Sequence, residues 1–437
     1  MMKTIDRCLI AENSATQIVR QSIIQLFTEL GYQFRNRPET KLILVIEPTL
    51  ETKISLTSNR LSGKTPSSLF RGGVRLILQQ LMGKSQPQTI QPALEEQILM
   101  LDIGRKYYSL AKLKRLIRSL ALFQFTHLQL HFSENEGFGI ESLLHPEICS
   151  PNHLSQEEIR ELIAYAEKFY LEIIPDIDTP GHVRQLLTHH PEWCLLKADG
   201  SRETSALDIL NPEAVDFIKE IYREFAELFQ ESRYFHIGAD EFVDFDQLAQ
   251  YPSLTSPALK LGSTASGINP FIQYVNDLIH YLNGFGFTVR VWNDGFYRND
   301  DQEHIHLTNQ CEVSYWTRWN PHMAALETYL TRGYTMINHN DNFLYYVLGE
   351  AAGYQYPTYE KINEHFQLTT FASDQKMKKQ NQTKGVALSV WADIPEAKSS
   401  HEVLADIFWL QAALSEKVYG DKNKKDDYQE VFEQWMR

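Results

Sequence analysis

The feature that most constrains the fold is an alternation of short apolar runs and helical segments between residues 98 and 418. The runs are rich in β-branched, leucine and aromatic residues, and segments with helical periodicity separate most of them. The predicted strands are 98–103, 127–131, 171–177, 234–237, 287–292, 312–316, 334–338 and 385–391. The predicted helices are 110–123, 155–170, 212–229, 270–283, 322–331 and 400–418. This pattern predicts an α/β fold of the (β/α)8 TIM-barrel type rather than an open sheet.

The first 92 residues lack this alternation and predict a small α+β domain. Helical periodicity occurs at 18–30 and again at 66–82, where Thr65 is a suitable N-cap and Pro66 occupies the first helical position. Residues 41–46 have the composition of a strand. The stretch 85–92 is polar and contains proline, which is typical of a domain boundary. The predicted domains are therefore 1–92 and 93–437, with the charge run at 421–427 as a solvated end; residues 85–87 of the predicted boundary lie outside the residues that the structure describes.

Polar and aromatic side chains collect where the predicted strands end. In a (β/α)8 barrel the carboxyl ends of all strands meet at one face, and functional groups lie there. The residues are Arg105, Glu134, His182, Asp240, Glu241, Trp292, Trp316, Tyr345, Tyr346, Trp391 and Asp393. Tryptophans at three strand ends favour a cavity for a ligand with flat apolar faces. The sequence thus predicts a ligand site at this face.

Asp240 and Glu241 are adjacent carboxylates at the end of the fourth predicted strand. Two like charges a few ångströms apart resist ionising together, so such a pair tends to separate into one protonated and one ionised group. General acid–base chemistry requires that separation. An isolated Asp-Glu pair is more often a solvated turn, but the residues at the neighbouring strand ends favour a functional interpretation.

The same segments form a motif set that resembles the family 20 glycoside hydrolases, the β-N-acetylhexosaminidases. The motifs occur in the order typical of that family, from about residue 98 to residue 395. They are Leu101-Asp-Ile-Gly-Arg105, His131-x-x-Glu-x-x-Gly137, Asp178-Thr-Pro-Gly-His182, His236-Ile-Gly-Ala-Asp-Glu241, Trp292, Trp316 and Trp391-Ala-Asp393. Many members of the family also have a small α+β domain before the barrel, like the one predicted for residues 1–92.

The resemblance implies a retaining exo-hydrolase that removes terminal β-linked N-acetylhexosamine from oligosaccharides or glycoconjugates. In this family the 2-acetamido oxygen of the substrate attacks the sugar, and no enzyme carboxylate does so. Glu241 would be the general acid and later the base that activates water. Asp240 would bind the acetamido N–H and stabilise an oxazolinium-like intermediate, which requires Asp240 to be ionised while Glu241 stays protonated. No cofactor and no metal ion is implied.

The resemblance also implies roles for the other residues at the strand ends. Arg105 would bind the outer hydroxyls of the terminal sugar. Glu134 and His182 would form a carboxylate–imidazole–carboxylate relay with Glu241 that tunes the acid. The walls of the acetamido pocket would be Trp292, Trp316 and Trp391.

Three positions depart from the family pattern. Glu134 stands where the family usually has Asp, which lengthens the arm of the relay, and Asp393 stands where Trp-x-Glu is more common. The acetamido-binding tyrosine normally belongs to a Tyr-x-Asp or Tyr-x-Asn pattern. Tyr345 and Tyr346 are both candidates, although neither is followed by a polar residue two positions later. The polar contact of that loop would be missing or would come from Asn340 or Asp341.

Two other classes of function compete with this interpretation. A metal-dependent barrel hydrolase is one, because His131, His182 and His236 lie at or near strand ends. Activity that survives chelation would exclude it. A catalytically impaired sugar-binding barrel is the other, and turnover of an aryl N-acetyl-β-glucosaminide would exclude that.

Composition also argues against nucleic acid and membranes as binding partners. A net charge of −14 argues against binding to nucleic acid as the main activity. The four cysteines are widely spaced, and neither an N-terminal apolar segment nor a run of membrane-spanning length is present. We therefore expect a cytoplasmic protein without a membrane partner. The sequence leaves open the identity of the sugar, its linkage and the oligomeric state.

Overall fold

Eight parallel strands form a closed barrel in the computed structural model, which describes residues 3–84, 88–298, 302–377 and 383–437. The barrel strands, numbered in chain order, are β1 Glu96–Asp102, β2 His127–His131, β3 Glu172–Thr179, β4 Tyr234–Gly238, β5 Thr288–Trp292, β6 Cys311–Tyr315, β7 Thr335–Asn338 and β8 Thr383–Trp391. Each strand pairs with the next along the chain, and β8 pairs with both β7 and β1. The predicted (β/α)8 TIM barrel is therefore confirmed.

Helices follow most of the barrel strands. They are Leu110–Leu122, Gln156–Glu167, Pro212–Leu228, Pro252–Ala258, Ile268–Asn283, Leu326–Thr331, Asp341–Leu344, Tyr359–His365, Ser400–Tyr419 and Gln429–Met436. Capping boxes at Ser155 and Ser399 define the first turn of two of them. The helix predicted at 322–331 begins only at Leu326, because Asp246 holds Asn320 and His322 in the preceding loop. No helix of the described ranges is long and apolar enough to cross a membrane.

The barrel interior contains an ion-pair network at the end opposite the strand tips. Arg290 on β5 is fully buried and donates to Glu96 on β1 at 2.6 Å and to Glu312 on β6 at 2.8 Å. Tyr234 on β4 also donates to Glu96, at 2.6 Å. Burial opposes ionisation of Glu96, but the nearby cations, Arg290 first, outweigh it and lower the pKa of Glu96 to about 2. The network links strands from different sides of the barrel.

A small α+β domain precedes the barrel, as predicted. Its five-stranded sheet has the order Cys8–Ala11, Lys41–Ile46, Arg60–Gly63, Ile54–Leu56, Thr89–Ile90, and a separate strand pair joins Lys3–Asp6 to Tyr32–Arg35. It also contains the helices Ser14–Glu29 and Pro66–Leu81, the second with the predicted Thr65 cap. Gly73 lies inside this helix where a Cβ atom would be only 2.4 Å from Ile23 of the first helix. The glycine therefore permits close packing of the two helices.

The predicted solvated end at 421–427 is only partly confirmed, because Lys422, Lys424 and Asp426 are exposed whereas Asp421 packs against the rest of the chain. Asp421 accepts hydrogen bonds from buried Arg75 and, at 2.9 Å, from Gln79 of the N-terminal domain. Tyr428 and Trp435 beyond it are both buried. A buried guanidinium is costly without a carboxylate partner, and Asp421 supplies that partner. The charge run thus includes a contact between the two domains.

Replacement of Arg290 tests the importance of the network in the barrel interior. We expect Arg290→Met to lower the free energy of unfolding by about 3–5 kcal/mol, because two buried carboxylates lose their main cation. The measurement is urea unfolding at neutral pH. Arg35→Met is the control, since Arg35 forms an exposed pair with Asp6 at 3.8 Å and should contribute at most about 1 kcal/mol. Equal effects of the two substitutions would contradict this interpretation of Arg290.

Candidate active site

The backbone at the end of β4 bends sharply before it presents Asp240 and Glu241. Gly238, Ala239 and Glu241 have φ values of 67°, 66° and 41°, in the left-handed region that residues with a Cβ disfavour. A side chain on Gly238 would overlap Asp178, since its Cβ would lie 2.2 Å from Oδ1. The bend turns Asp240 inward, where it is 8% exposed, whereas the Glu241 side chain is 47% exposed. The two adjacent carboxylates therefore have different environments.

Asp294, which follows β5, holds this bend in place. Its Oδ2 accepts a hydrogen bond from the Glu241 backbone N–H at 3.0 Å, and its Oδ1 accepts one from Trp316 Nε1 at 3.2 Å. Burial raises the pKa of Asp294 to about 6, with the Glu241 N–H opposing and the Glu241 carboxylate adding to the increase. No sequence motif identifies this role of Asp294, because the carboxylate acts by accepting a hydrogen bond from the Glu241 backbone N–H.

His182 lies between Glu134 and the carboxylate pair. Its Nδ1 is 2.9 Å from Glu134 Oε2, and its Nε2 is 3.4 Å from Glu241 Oε2 and 3.6 Å from Asp240 Oδ2. Glu134 also pairs with Arg105 Nη2 at 2.5 Å. The longer side chain of Glu134 is therefore accommodated, and the three groups predicted to form a relay lie in one continuous row.

The electrostatics of the row differ from the expectation of an ionised Asp240. Burial opposes ionisation of Glu134, but His182, His131 and Arg105 together outweigh it, so the pKa of Glu134 lies well below its usual value. The pKa of His182 is raised well above its usual value, because Glu134 and Asp240 outweigh the effect of burial. Burial raises the pKa of Asp240 to about 8; His182 opposes this, and Asp294 and Glu241 add to it. Without substrate, these surroundings therefore favour the neutral form of Asp240.

Aromatic side chains surround a cavity of about 400 Å³ in front of the carboxylate pair. Trp292 is 6.5 Å from Trp316 and 6.0 Å from Trp391 between ring centroids. Trp316 stacks on Tyr345 at 5.7 Å with nearly parallel rings. Arg105, Glu134, His182, Asp240 and Glu241 line the same cavity, together with Asp393. The structure thus brings together all the predicted site residues except Tyr346.

Tyr346 lies outside the cavity, so its assignment to the site was wrong. Its hydroxyl donates to Asp406 at 2.6 Å, and its ring stacks on Tyr356 at a centroid distance of 4.6 Å. Tyr345 and Tyr346 belong to a short strand, Tyr345–Val347, in which successive side chains point to opposite faces. Tyr345 and Val347 therefore both face the cavity.

Asp341, rather than Asn340, provides the polar group of the loop after β7. Asn340 caps a helical turn by accepting from Asn342 N at 3.0 Å, and its amide donates to the Thr370 carbonyl at 3.0 Å. Asp341 lines the cavity, and its Oδ2 accepts from Tyr354 at 3.1 Å. Its Oδ1 has no hydrogen-bond partner among the described residues. Sequence reasoning missed Tyr354, Trp319 and Val347, which also line the cavity.

Arg105 and Asp393 form the outer rim on the β1 and β8 side. Arg105 donates to Asp102 at 3.0 Å and to Glu136 at 3.2 Å, and its Nη1 lies 4.0 Å from Asp393. Coulombic attraction to Asp102 and Glu134 outweighs burial and raises the pKa of Arg105. Its guanidinium carbon also lies 5.8 Å from the Trp391 ring centroid. The charged side chains of Arg105 and Asp393 therefore make this rim of the cavity polar.

Two of the three histidines of the metal-hydrolase alternative share one carboxylate, and the third contacts another. His131 Nδ1 is 3.1 Å from Asp176 Oδ2, and His236 Nδ1 is 3.3 Å from Asp176 Oδ1, whereas His182 contacts Glu134. Within the part of the chain that the structure describes, two groups could bring ligand atoms within 4.8 Å of one another: His131 with Asp176 and Asp178, and Asp178 with His182 and Asp240. Neither group unites the three histidines.

A larger cavity of about 730 Å³ lies between the opposite end of the barrel and the N-terminal domain. Among the described residues no tryptophan lines it, and its Glu96 is already bound by Arg290. The smaller cavity is therefore the candidate active site, because it combines carboxylates of unequal environment with aromatic walls.

Comparison with known proteins agrees with this arrangement. The family described as glycosyl hydrolase family 20, catalytic domain, matches residues 98–421. The chain belongs to this family. The resemblance inferred from the sequence motifs is thus confirmed, and the family 20 region includes the whole lining of the cavity.

Relatives of the family 20 domain include larger proteins. A lacto-N-biosidase of Bifidobacterium bifidum is 26% identical over 272 residues, which are 62% of this chain and 24% of that protein. A β-hexosaminidase of Vibrio furnissii is 33% identical over 175 residues, which are 33% of this chain and 28% of that protein. The matched regions therefore span less than a third of either relative.

Solved family 20 structures share the fold over nearly the whole chain. An exo-β-N-acetylglucosaminidase from Vibrio harveyi has a TM-score of 0.77 at 16% identity and covers 99% of this chain and 74% of that chain. A β-N-acetylhexosaminidase from Bacteroides fragilis has a TM-score of 0.74 at 18% identity and covers 99% of this chain and 93% of that chain. The shared fold thus includes the small N-terminal domain.

The raised pKa of Asp240 predicts a pH-dependent cost in stability. From pH 4 to pH 8 the unfolded chain loses this proton while the folded chain retains it, so the free energy of unfolding falls as pH rises. Asp240→Asn removes that dependence. We expect Asp240→Asn to raise the free energy of unfolding relative to wild type. This increase should be at least about 1 kcal/mol larger at pH 8 than at pH 5.

Urea unfolding at the two pH values measures this difference. Asp277→Asn, on an exposed helix face, is the control for the loss of one negative charge. A gain that is the same at pH 5 and pH 8 would contradict the raised pKa of Asp240.

Proposed function

We propose that the protein is a retaining exo-β-N-acetylhexosaminidase. It removes terminal β-linked N-acetylglucosamine or N-acetylgalactosamine from oligosaccharides or glycoconjugates. The observation on which this rests is the carboxylate pair at the end of β4, with Asp240 buried beside His182 and Glu241 facing the cavity. The buried Asp240 can thus bind a substrate inside the cavity, while Glu241 exchanges protons at the entrance.

The first step breaks the glycosidic bond with help from the substrate. Glu241 donates its proton to the glycosidic oxygen, and the 2-acetamido oxygen of the same sugar attacks the anomeric carbon. The leaving group departs as an alcohol, and the sugar becomes an oxazolinium intermediate. A water molecule then attacks the anomeric carbon and gives a proton to Glu241. Two displacements at one carbon retain the configuration.

Asp240 supports this step by accepting a hydrogen bond from the acetamido N–H. The raised pKa of Asp240 means that the free site favours the neutral carboxyl group. An N–H donor and the positive charge that develops on the acetamido group both favour the ionised form. Substrate binding therefore shifts Asp240 towards the carboxylate, so that its charge is present when the transition state requires it.

His182 connects the two carboxyl groups to Glu134. As an imidazolium it places a positive charge 3.6 Å from Asp240 and 3.4 Å from Glu241. That charge stabilises Asp240 as it ionises, and it stabilises Glu241 after proton donation. Glu134, held by Arg105, keeps the imidazole protonated and oriented.

The aromatic walls hold the sugar and exclude water. Trp292 and Trp391 line the cavity with their ring centroids 6.0 Å apart, and Trp316 is fixed by its hydrogen bond to Asp294. Tyr345 is the group for the acetamido carbonyl oxygen, because it shares the cavity with Asp240 and Tyr346 does not. Arg105, Asp341 and Asp393 supply polar contacts for the outer hydroxyls. Relatives named β-hexosaminidase support this class of substrate.

Replacement of the general acid tests the proposal. Wild-type protein should hydrolyse 4-nitrophenyl N-acetyl-β-D-glucosaminide, and Glu241→Gln should reduce kcat by about 10²-fold or more because the amide cannot donate or accept the proton. The measurement is release of nitrophenolate under saturating substrate. Glu364→Gln is the control, since Glu364 is exposed and does not line the cavity.

Two results would contradict the proposal in different ways. Binding of the substrate without turnover by wild type would favour the sugar-binding alternative. Unchanged turnover by Glu241→Gln would assign the acid to another residue.

A further inference from the structure

Trp319 is the most exposed aromatic group of the cavity lining. It is 57% exposed, whereas Trp316 is 9% exposed, and the two rings meet edge to face at a centroid distance of 4.9 Å. A large indole surface in water is unfavourable unless a ligand covers it. Other exposed aromatic residues, such as Phe285, do not line the cavity. Trp319 thus extends the aromatic wall from the cavity into solvent.

The loop that contains Trp319 is held by hydrogen bonds of residues before and after Trp319 in the sequence. Before it, Thr317 donates to Asp341 Oδ2 at 2.9 Å. After it, Asn320 donates to Asp246 Oδ2 at 2.7 Å, and His322 Nδ1 lies 2.9 Å from Asp246 Oδ1. These contacts restrict the backbone on either side of Trp319. The exposed ring is therefore presented by a constrained loop, which reduces the entropy lost when a ligand binds.

The loop that contains Trp319 is joined to the loop that contains Glu241. Asp246 follows Glu241 in the loop after β4, so the loop after β6 is bound directly to the loop that contains the acid. The rim formed by Arg105 and Asp393 belongs to β1 and β8 instead. The proton of Glu241 must reach the oxygen that joins the released sugar to its leaving group. Groups on the Glu241 side of the entrance therefore face the leaving group.

We propose that Trp319 is a stacking platform for the first sugar of the leaving group. This inference rests on the proposed function, because only a glycosidase has a leaving group at that place. A pyranose ring with equatorial substituents exposes a flat face of C–H groups, which matches an indole face. Affinity for the substrate then depends on a second sugar beyond the released N-acetylhexosamine.

The test compares ligands that differ only in the leaving group. N,N′-diacetylchitobiose has a second sugar, methyl N-acetyl-β-D-glucosaminide has only a methyl group, and free N-acetylglucosamine has no leaving group. We expect Trp319→Ala to lower kcat/KM for the disaccharide about tenfold, mainly through KM, as the loss of about 1.4 kcal/mol of binding would do. The methyl glycoside should change by less than about twofold, and so should the inhibition constant of N-acetylglucosamine.

Two further variants make the comparison specific. Trp319→Phe should restore part of the disaccharide affinity, because it keeps an aromatic face. Phe285→Ala controls for the removal of an exposed aromatic group and should change none of the three ligands. Equal losses for all ligands would place Trp319 in the pocket of the released sugar and overturn the proposal. No loss for any ligand would overturn it as well.

Direct binding separates this inference from the proposed function. In the Glu241→Gln background, titration calorimetry with the disaccharide and with N-acetylglucosamine reports affinity without turnover. The expected result is an affinity for the disaccharide that falls about tenfold on addition of Trp319→Ala, with no change for the monosaccharide. If wild type hydrolyses neither glycoside, the proposed function fails, and a selective loss that persists then shows a contact of Trp319 with a second sugar rather than with a leaving group. If hydrolysis occurs without a selective loss, the platform fails.

Discussion

The hydrogen bond from the Glu241 backbone N–H to Asp294 is the contact on which the site depends. It holds a bend whose φ values at Ala239 and Glu241 are unfavourable for residues with a Cβ. If β4 continued without the bend, the side chains of Asp240 and Glu241 would point to opposite faces of the sheet. The bend instead buries Asp240 and leaves Glu241 at the cavity entrance. Asp294 also fixes Trp316, so one carboxylate positions both the acid and a wall of the cavity.

The buried carboxyl groups around His182 lower the stability of the fold, and the proposed mechanism uses the same groups. Several carboxyl groups lie together in a buried volume, where the cationic neighbours of the row include His182, Arg105 and His131. Burial, with the neighbouring carboxylates adding to it, raises the pKa of Asp240 and of Asp294, and this reduces the free energy of unfolding at neutral pH. In the proposed mechanism the same effect is relieved when a substrate brings a donor and a developing positive charge. The ion-pair network around Arg290, at the other end of the barrel, stabilises the fold independently of this site.

Much of the fold and part of the site were predictable from the sequence. Strand β2 has the predicted bounds, and the other barrel strands agree within a few residues, because local apolar patterning determines them. The convergence of the tryptophans follows from their places at strand ends. Contacts between distant residues were not predictable. Arg75 and Asp421 are 346 positions apart, and the direction of Tyr346 depends on its strand pairing with β8. Asp294 acts through a backbone N–H, which no motif encodes.

In the proposed mechanism the nucleophile belongs to the substrate, and Asp240 assists it. The most direct measurement compares hydrolysis of two 4-nitrophenyl β-glycosides that differ only in a 2-acetamido or a 2-hydroxy group. An intramolecular nucleophile should make the 2-acetamido substrate at least about a hundredfold faster in kcat/KM. Asp240→Asn should remove most of that advantage. Equal rates for the two substrates in wild type would contradict the account.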